Sequence, residues 1–220
     1  MNLSQPLKYH YYTYRRFYLI YLLLFISSIF LIPFLFSELT NFYYYYSIAM
    51  ILVTFMFTII NSIYEFTIFI NHYFKLKNIK SEFSISCFIY SILNSFIQTL
   101  LILATFLVSY YLYNANLQET FNYTNPFIYT LTFLIHFCGF AIIGIISLFI
   151  KNVKVVQMVL YLIVLFIVAL ISFDIIDSLI GAIYNLYQDP NLLIKVQPIF
   201  IIFSIIFYLL INYRIKRMYE

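Results

Sequence analysis

Apolar positions along this chain fall into long unbroken runs, at 17–36, 46–70, 83–111, 126–150, 155–172 and 198–213. Crossing about 30 Å of hydrocarbon takes about 20 helical residues, so runs of this length predict membrane-spanning helices. Six such runs predict an all-α membrane protein of six spans in a single domain over 1–220. The second and third exceed one bilayer thickness, which implies tilt or extension into water. Ahead of the first run, Leu3, Leu7, Tyr11, Tyr14 and Tyr18 follow helical spacing with Lys8, Arg15 and Arg16 on other faces. That pattern predicts an amphipathic interfacial helix over 1–16. Between the fifth and sixth runs, Ile175, Ile176, Leu179, Ile180 and Ile183 follow Asp174 and Asp177 at helical spacing. A short external helical segment is expected there, with Gln188-Asp189-Pro190 as its stop signal.

Composition turns this pattern into a statement about solvent. Hydrophobic residues make up 65% of the chain and charged residues 9%, with a mean hydropathy of +0.96, too few polar groups to cover a water-soluble surface. The net charge of +4 is informative by position, and no nucleic-acid partner is read from it. Lys8, Arg15, Arg16, Lys75, Lys77, Lys80, Lys151, Lys154, Arg214, Lys216 and Arg217 fall on one side of the six-span layout, and Lys195 alone on the other. The positive-inside rule makes that side cytoplasmic and places both termini there. A bias to Ile, Phe, Tyr, Asn and Lys points to a bacterial cell membrane. With no Trp and 24 Tyr, tyrosines such as those at 43–46, 110, 111 and 113 would form the interfacial aromatic belt. Cys87 and Cys138 lie inside apolar runs and read as small packing residues.

Polar residues inside the runs carry the candidate chemistry. Thr54, Thr58, Asn61, Glu65 and then His72 share one helical face of the second run; Ser84, Cys87, Ser91, Asn94, Gln98, Thr105 and Ser109 form a similar stripe on the third. Polar groups in hydrocarbon face the bundle interior, so the two stripes should meet across a hairpin. Asn61, Glu65, His72, Asn94 and Gln98 could then line a translocation path or serve as interhelical hydrogen bonds, and the second role is preferred for Asn94 and Gln98. Glu65 falls near the inner headgroups, with His72 or a loop lysine as its expected partner. His136, midway along the fourth run, is expected to bond a neighbouring helix.

Several chemistries are disfavoured. Metal hydrolysis needs clustered ligands, whereas His10, His72 and His136 fall at different depths with no H-E-x-x-H pattern. Neither a G-x-S-x-G elbow nor a G-x-x-x-x-G-K-[ST] phosphate loop occurs. No catalysis, metal or cofactor is expected on the chain itself.

The basic lead-in, a long second span running into a Lys-rich hairpin, four further spans and the apolar external segment together resemble an ABC-2-type exporter permease. The closest local likeness is Ile70-Asn71-His72-Tyr73-Phe74-Lys75-Leu76-Lys77-Asn78-Ile79-Lys80-Ser81-Glu82-Phe83, with Asn78 where the family usually has glycine. The resemblance implies a permease that pairs with itself or a sister subunit and binds separate ABC ATPase subunits, which carry ATP and Mg. It also implies that Lys75, Leu76, Lys77, Asn78, Ile79, Lys80 and Ser81 form the ATPase-coupling turn, and that Asp174 and Asp177 belong to an external gate. The cargo would be amphipathic or hydrophobic, such as a phenol-soluble-modulin-type peptide toxin or a lipid-like molecule. A non-transporting membrane immunity or scaffold protein is the alternative.

Overall fold

A computed structural model describes residues 4–36, 42–71, 80–113, 125–149 and 189–217, and all of these but Asn125 and Asp189 are helical. We number the helices α1 (Ser4–Phe36), α2 (Phe42–Tyr64, running into a π-helical turn, Glu65–Phe69), α3 (Lys80–Tyr113), α4 (Pro126–Phe149) and α5 (Pro190–Arg217). Four of them are long and apolar enough to cross a membrane, over Ala49–Phe69, Glu82–Tyr111, Pro126–Phe149 and Ile194–Arg217. In α1 the apolar stretch is Tyr18–Ile32. Run 155–172 lies outside the described residues, as do His72, residues 75–79, Asp174 and Asp177.

Two expectations need correction. The interfacial helix over 1–16 and the first span are not separate elements: Ser4–Phe36 is one helix, at 1.5 Å per residue about 50 Å long. No glycine falls within it, and the one proline near its middle or later, Pro33, sits beyond most of the apolar stretch, so nothing breaks the ladder near residue 16. The second concerns Asp189-Pro190: the pair starts a helix, and the segment it was expected to stop lies outside the described residues. The Asp189 carboxylate accepts the Asn191 N–H at 2.9 Å, and Pro190 takes the first helical position, where its missing N–H costs nothing. Helix α5 therefore begins eight residues before the expected sixth span and contains Pro198. Asn125-Pro126 uses the same device on α4, with Asn125 Oδ1 accepting the Phe127 N–H at 3.0 Å.

Packing joins these helices in a definite order. Helix α4 makes its most extensive contact with α5, while α2 packs on α3 and α4, and α1 on α3. At one end of the bundle the end of α2, the start of α3 and the ends of α4 and α5 share a core of Phe66, Phe69, Ile70, Phe83, Phe140, Leu148, Ile211 and Ile215. Nearer the other end, Phe25, Ile29, Tyr46, Met50 and Leu101 join α1, α2 and α3. Two glycines allow α4 its close approach to α2: a Cβ on Gly139 would press on the Phe55 ring and one on Gly144 would overlap Phe66. Helix α5 buries a single narrow face, including Ser204, Ile211 and Ile215, and leaves Ile199, Ile202, Phe203, Ile206, Leu209 and Leu210 exposed. Such a face suits a helix solvated by lipid.

Candidate functional site: a buried polar seam

The polar stripes of α2 and α3 do face each other. Thr54, Thr58, Asn61, Glu65, Cys87, Ser91, Asn94, Gln98, Thr105 and Ser109 are all buried. Much of this polarity is absorbed locally, since the hydroxyls of Ser91, Ser95, Thr99 and Thr105 donate to carbonyls three or four residues earlier. Such back-bonding satisfies a hydroxyl without a second helix. The amides of the seam reach across instead. Asn61 Nδ2 donates to Asn94 Oδ1 at 3.1 Å and to the Tyr18 hydroxyl at 3.2 Å.

Helix α1 supplies the tyrosines that close the seam. Tyr18 donates to Asn94 Oδ1 at 2.5 Å and accepts from Tyr90 at 3.2 Å. Tyr21 donates to Gln98 Oε1 at 2.7 Å while its ring stacks on Phe57, 3.5 Å between centroids. These two tyrosines lie three apart, one turn of one face, and carry α1 onto Asn94 and Gln98, which are four apart. On the far side of α3, Tyr208 of α5 donates to Ser91.

Toward the basic end the seam becomes ionisable. Glu65, fully buried at the first position of the π-helical turn, accepts from the Cys87 thiol at 3.0 Å and faces His10 Nδ1 at 3.5 Å. His10 is itself 3% exposed although its neighbours Lys8, Tyr11 and Tyr12 are open to solvent. Its ring stacks on Phe69 at 4.3 Å and on Tyr90 at 5.0 Å, and its Nε2 lies 3.2 Å from Ser86 Oγ. The ligand-capable atoms of His10, Glu65 and Cys87 all lie within 4.8 Å of one another. Exposed Arg15 and Arg16 follow His10 on α1, and Arg214 and Lys216 end α5 beside Phe149 and the Phe66–Phe83 core. The cluster thus lies within a belt of cations at one end of the bundle.

A second, neutral cluster sits deeper. His136 on α4 meets Thr58 Oγ1 through Nδ1 at 2.9 Å and approaches Thr54 Oγ1 through Nε2 at 3.4 Å. Both threonine hydroxyls donate to carbonyls of their own helix, of Thr54 and Ile51. With those protons spent on the backbone, the shorter contact, Nδ1 to Thr58 Oγ1 at 2.9 Å, is the one that joins α4 to α2 most closely.

Of the expected path residues, Asn61, Glu65, Asn94 and Gln98 lie in this seam. Lys80 and Ser81 open α3. His10, Glu65 and Cys87 come from three different apolar or basic segments, so no spacing along the sequence groups them, and the Cys87 thiol bonds Glu65 besides packing in the core. Compared with known protein families, curated proteins and solved structures, the chain matches none.

Proposed function

We propose that the chain is the membrane-embedded permease subunit of an ATP-driven exporter of the ABC-2 type, moving an amphipathic or hydrophobic cargo such as a peptide toxin. A second copy or sister permease would complete the path. ATP hydrolysis falls to a separate ATPase docked under the Lys75–Lys80 hairpin, with both termini of the permease cytoplasmic. One observation supports this reading above the others: both stems of that hairpin are pinned to α1 by the same buried cluster. Glu65 precedes the hairpin, Cys87 and Ser86 follow it, and His10 reaches both stems. A push on the hairpin would move three helices together, as coupling to a motor requires.

The non-transporting alternative draws on a different observation, that Asn61, Asn94, Gln98, Tyr18 and Tyr21 bond one another across the seam. Reconstitution with a candidate ATPase separates the two readings. Charge reversal at Lys77 and Lys80 together should abolish stimulation of ATP hydrolysis by the permease while leaving assembly of the bundle unchanged. Stimulation that survives the reversal removes the hairpin from the motor contact, and failure to co-purify any ATPase under mild detergent favours the immunity or scaffold role.

A further inference from the structure

We infer that His10, Glu65 and Cys87 form a binding site for one divalent transition metal ion of the Zn²⁺ class. Hydrogen-bond accounting around His10 gives the first reason. Ser86 Oγ donates its proton to the Phe83 carbonyl at 2.8 Å, so toward His10 Nε2, 3.2 Å away, it offers only a lone pair. With no metal bound, an imidazolium donating from both nitrogens fits these distances; with a metal bound, the single ring proton stays on Nε2 and Nδ1 turns its lone pair to the ion. That is the tautomer of a metal-ligating histidine, with its other nitrogen held by an oxygen acceptor.

Spacing is the second reason. Nδ1 and Glu65 Oε2 stand 3.5 Å apart. Two donors at about 2.0–2.1 Å from a tetrahedral zinc are separated by roughly 3.3–3.4 Å. Cys87 Sγ lies against the other carboxylate oxygen at 3.0 Å, and all three donors fit within 4.8 Å. Imidazole nitrogen, carboxylate oxygen and thiolate sulfur make a borderline-soft set that suits Zn²⁺ better than Mg²⁺ or Ca²⁺, which want oxygen alone. Three protein ligands leave a fourth tetrahedral position for water. On binding, the Cys87 S–H is replaced by a sulfur–metal bond and its proton leaves to solvent.

Rigidity and position agree with this assignment. The imidazole is held by stacking on Phe69 and Tyr90, and Glu65 is presented by the π-helical turn, a distortion that often marks functional positions. Exposed Arg15 and Arg16 follow His10 on α1, and Arg214 and Lys216 flank Ile215 of the core that Cys87 shares, so the cluster sits at the cation-rich end of the bundle. The inference stands apart from export, since an immunity or scaffold protein could carry the same site.

The test uses the full chain in mild detergent, stripped with chelator and titrated with Co²⁺ and then Zn²⁺. One equivalent of Co²⁺ should bind with a thiolate-to-cobalt charge-transfer band and release of a proton, and Zn²⁺ should displace it. Cys87→Ser should remove the band, Cys138→Ser should leave it, and Glu65→Gln should weaken affinity by about ten-fold or more. Ser86→Ala should weaken it less. Circular dichroism and thermal unfolding identify any variant that has failed to fold. The site is refuted if the folded, unsubstituted chain takes up no stoichiometric Co²⁺ or Zn²⁺, or if the band survives Cys87→Ser.

Discussion

His10 and His136 are both almost completely buried, yet their surroundings differ in kind. His136 meets neutral hydroxyls on one adjacent helix, whose own protons go to backbone carbonyls. His10 meets a carboxylate, a serine and, through that carboxylate, a thiol, and it touches two helices besides its own. Among the described residues the first arrangement joins α2 to α4 through hydroxyls alone. The second gathers three groups that each change character on losing a proton. A buried histidine therefore says little by itself, and its partners decide between joint and site.

The sharpest way to break the comparison is to remove the carboxylate that distinguishes the two. Glu65→Ala leaves the Cys87 thiol without its acceptor and His10 without the carboxylate beside it; loss of one partner from a buried pair costs about 3–5 kcal/mol. A matching fall in stability to denaturing detergent is expected, and a loss below about 1 kcal/mol would equate the two clusters energetically. Next in size is Gly144→Val, which drives a branched side chain into Phe66 beside the π-helical turn. Overpacking of this kind costs about 1–3 kcal/mol. It should also perturb the His10 site while sparing His136, checked by histidine ring resonances in NMR. The smallest effect belongs to a double-mutant cycle of Thr58→Val and His136→Phe, whose coupling should be near 0.6 kcal/mol, the average for hydrogen bonds between membrane helices.

The apolar runs told much of this in advance, because hydrocarbon imposes one secondary structure on any chain that crosses it. Expected spans and observed helices agree closely at Pro126–Phe149 and Glu82–Tyr111. The meeting of α2 and α3 was also legible from matching polar stripes. In an antiparallel hairpin, partners move oppositely along the two stems at the same rise per residue, so Asn61 facing Asn94 puts Glu65 level with about Tyr90. The bond from Cys87 to Glu65, nearly a turn further on, does not follow from that register. His10 was beyond reach, since it comes from a lead that looked like a surface helix and meets Ser86 across 76 residues. The start of α5 was not read from Asp189-Pro190 because acidic and proline residues punctuate both ends of helices, and only the carboxylate's bond to the Asn191 N–H marks a start there.

The π-helical turn at Glu65–Phe69 also bears on how this sequence can change length. Each residue turns an α-helix by about 100°, and a π-helical turn accommodates one residue more than the α ladder would. Deleting Ile68 would let the ladder close regularly while Phe69 and Ile70 keep their phase against His10 and the Phe83 core. A single-residue deletion there should therefore be tolerated better than one in the regular part of α2, which would swing everything beyond it by about 100°. In that sense the irregular turn acts as a length buffer, absorbing one residue between α2 and the hairpin without moving what lies beyond it.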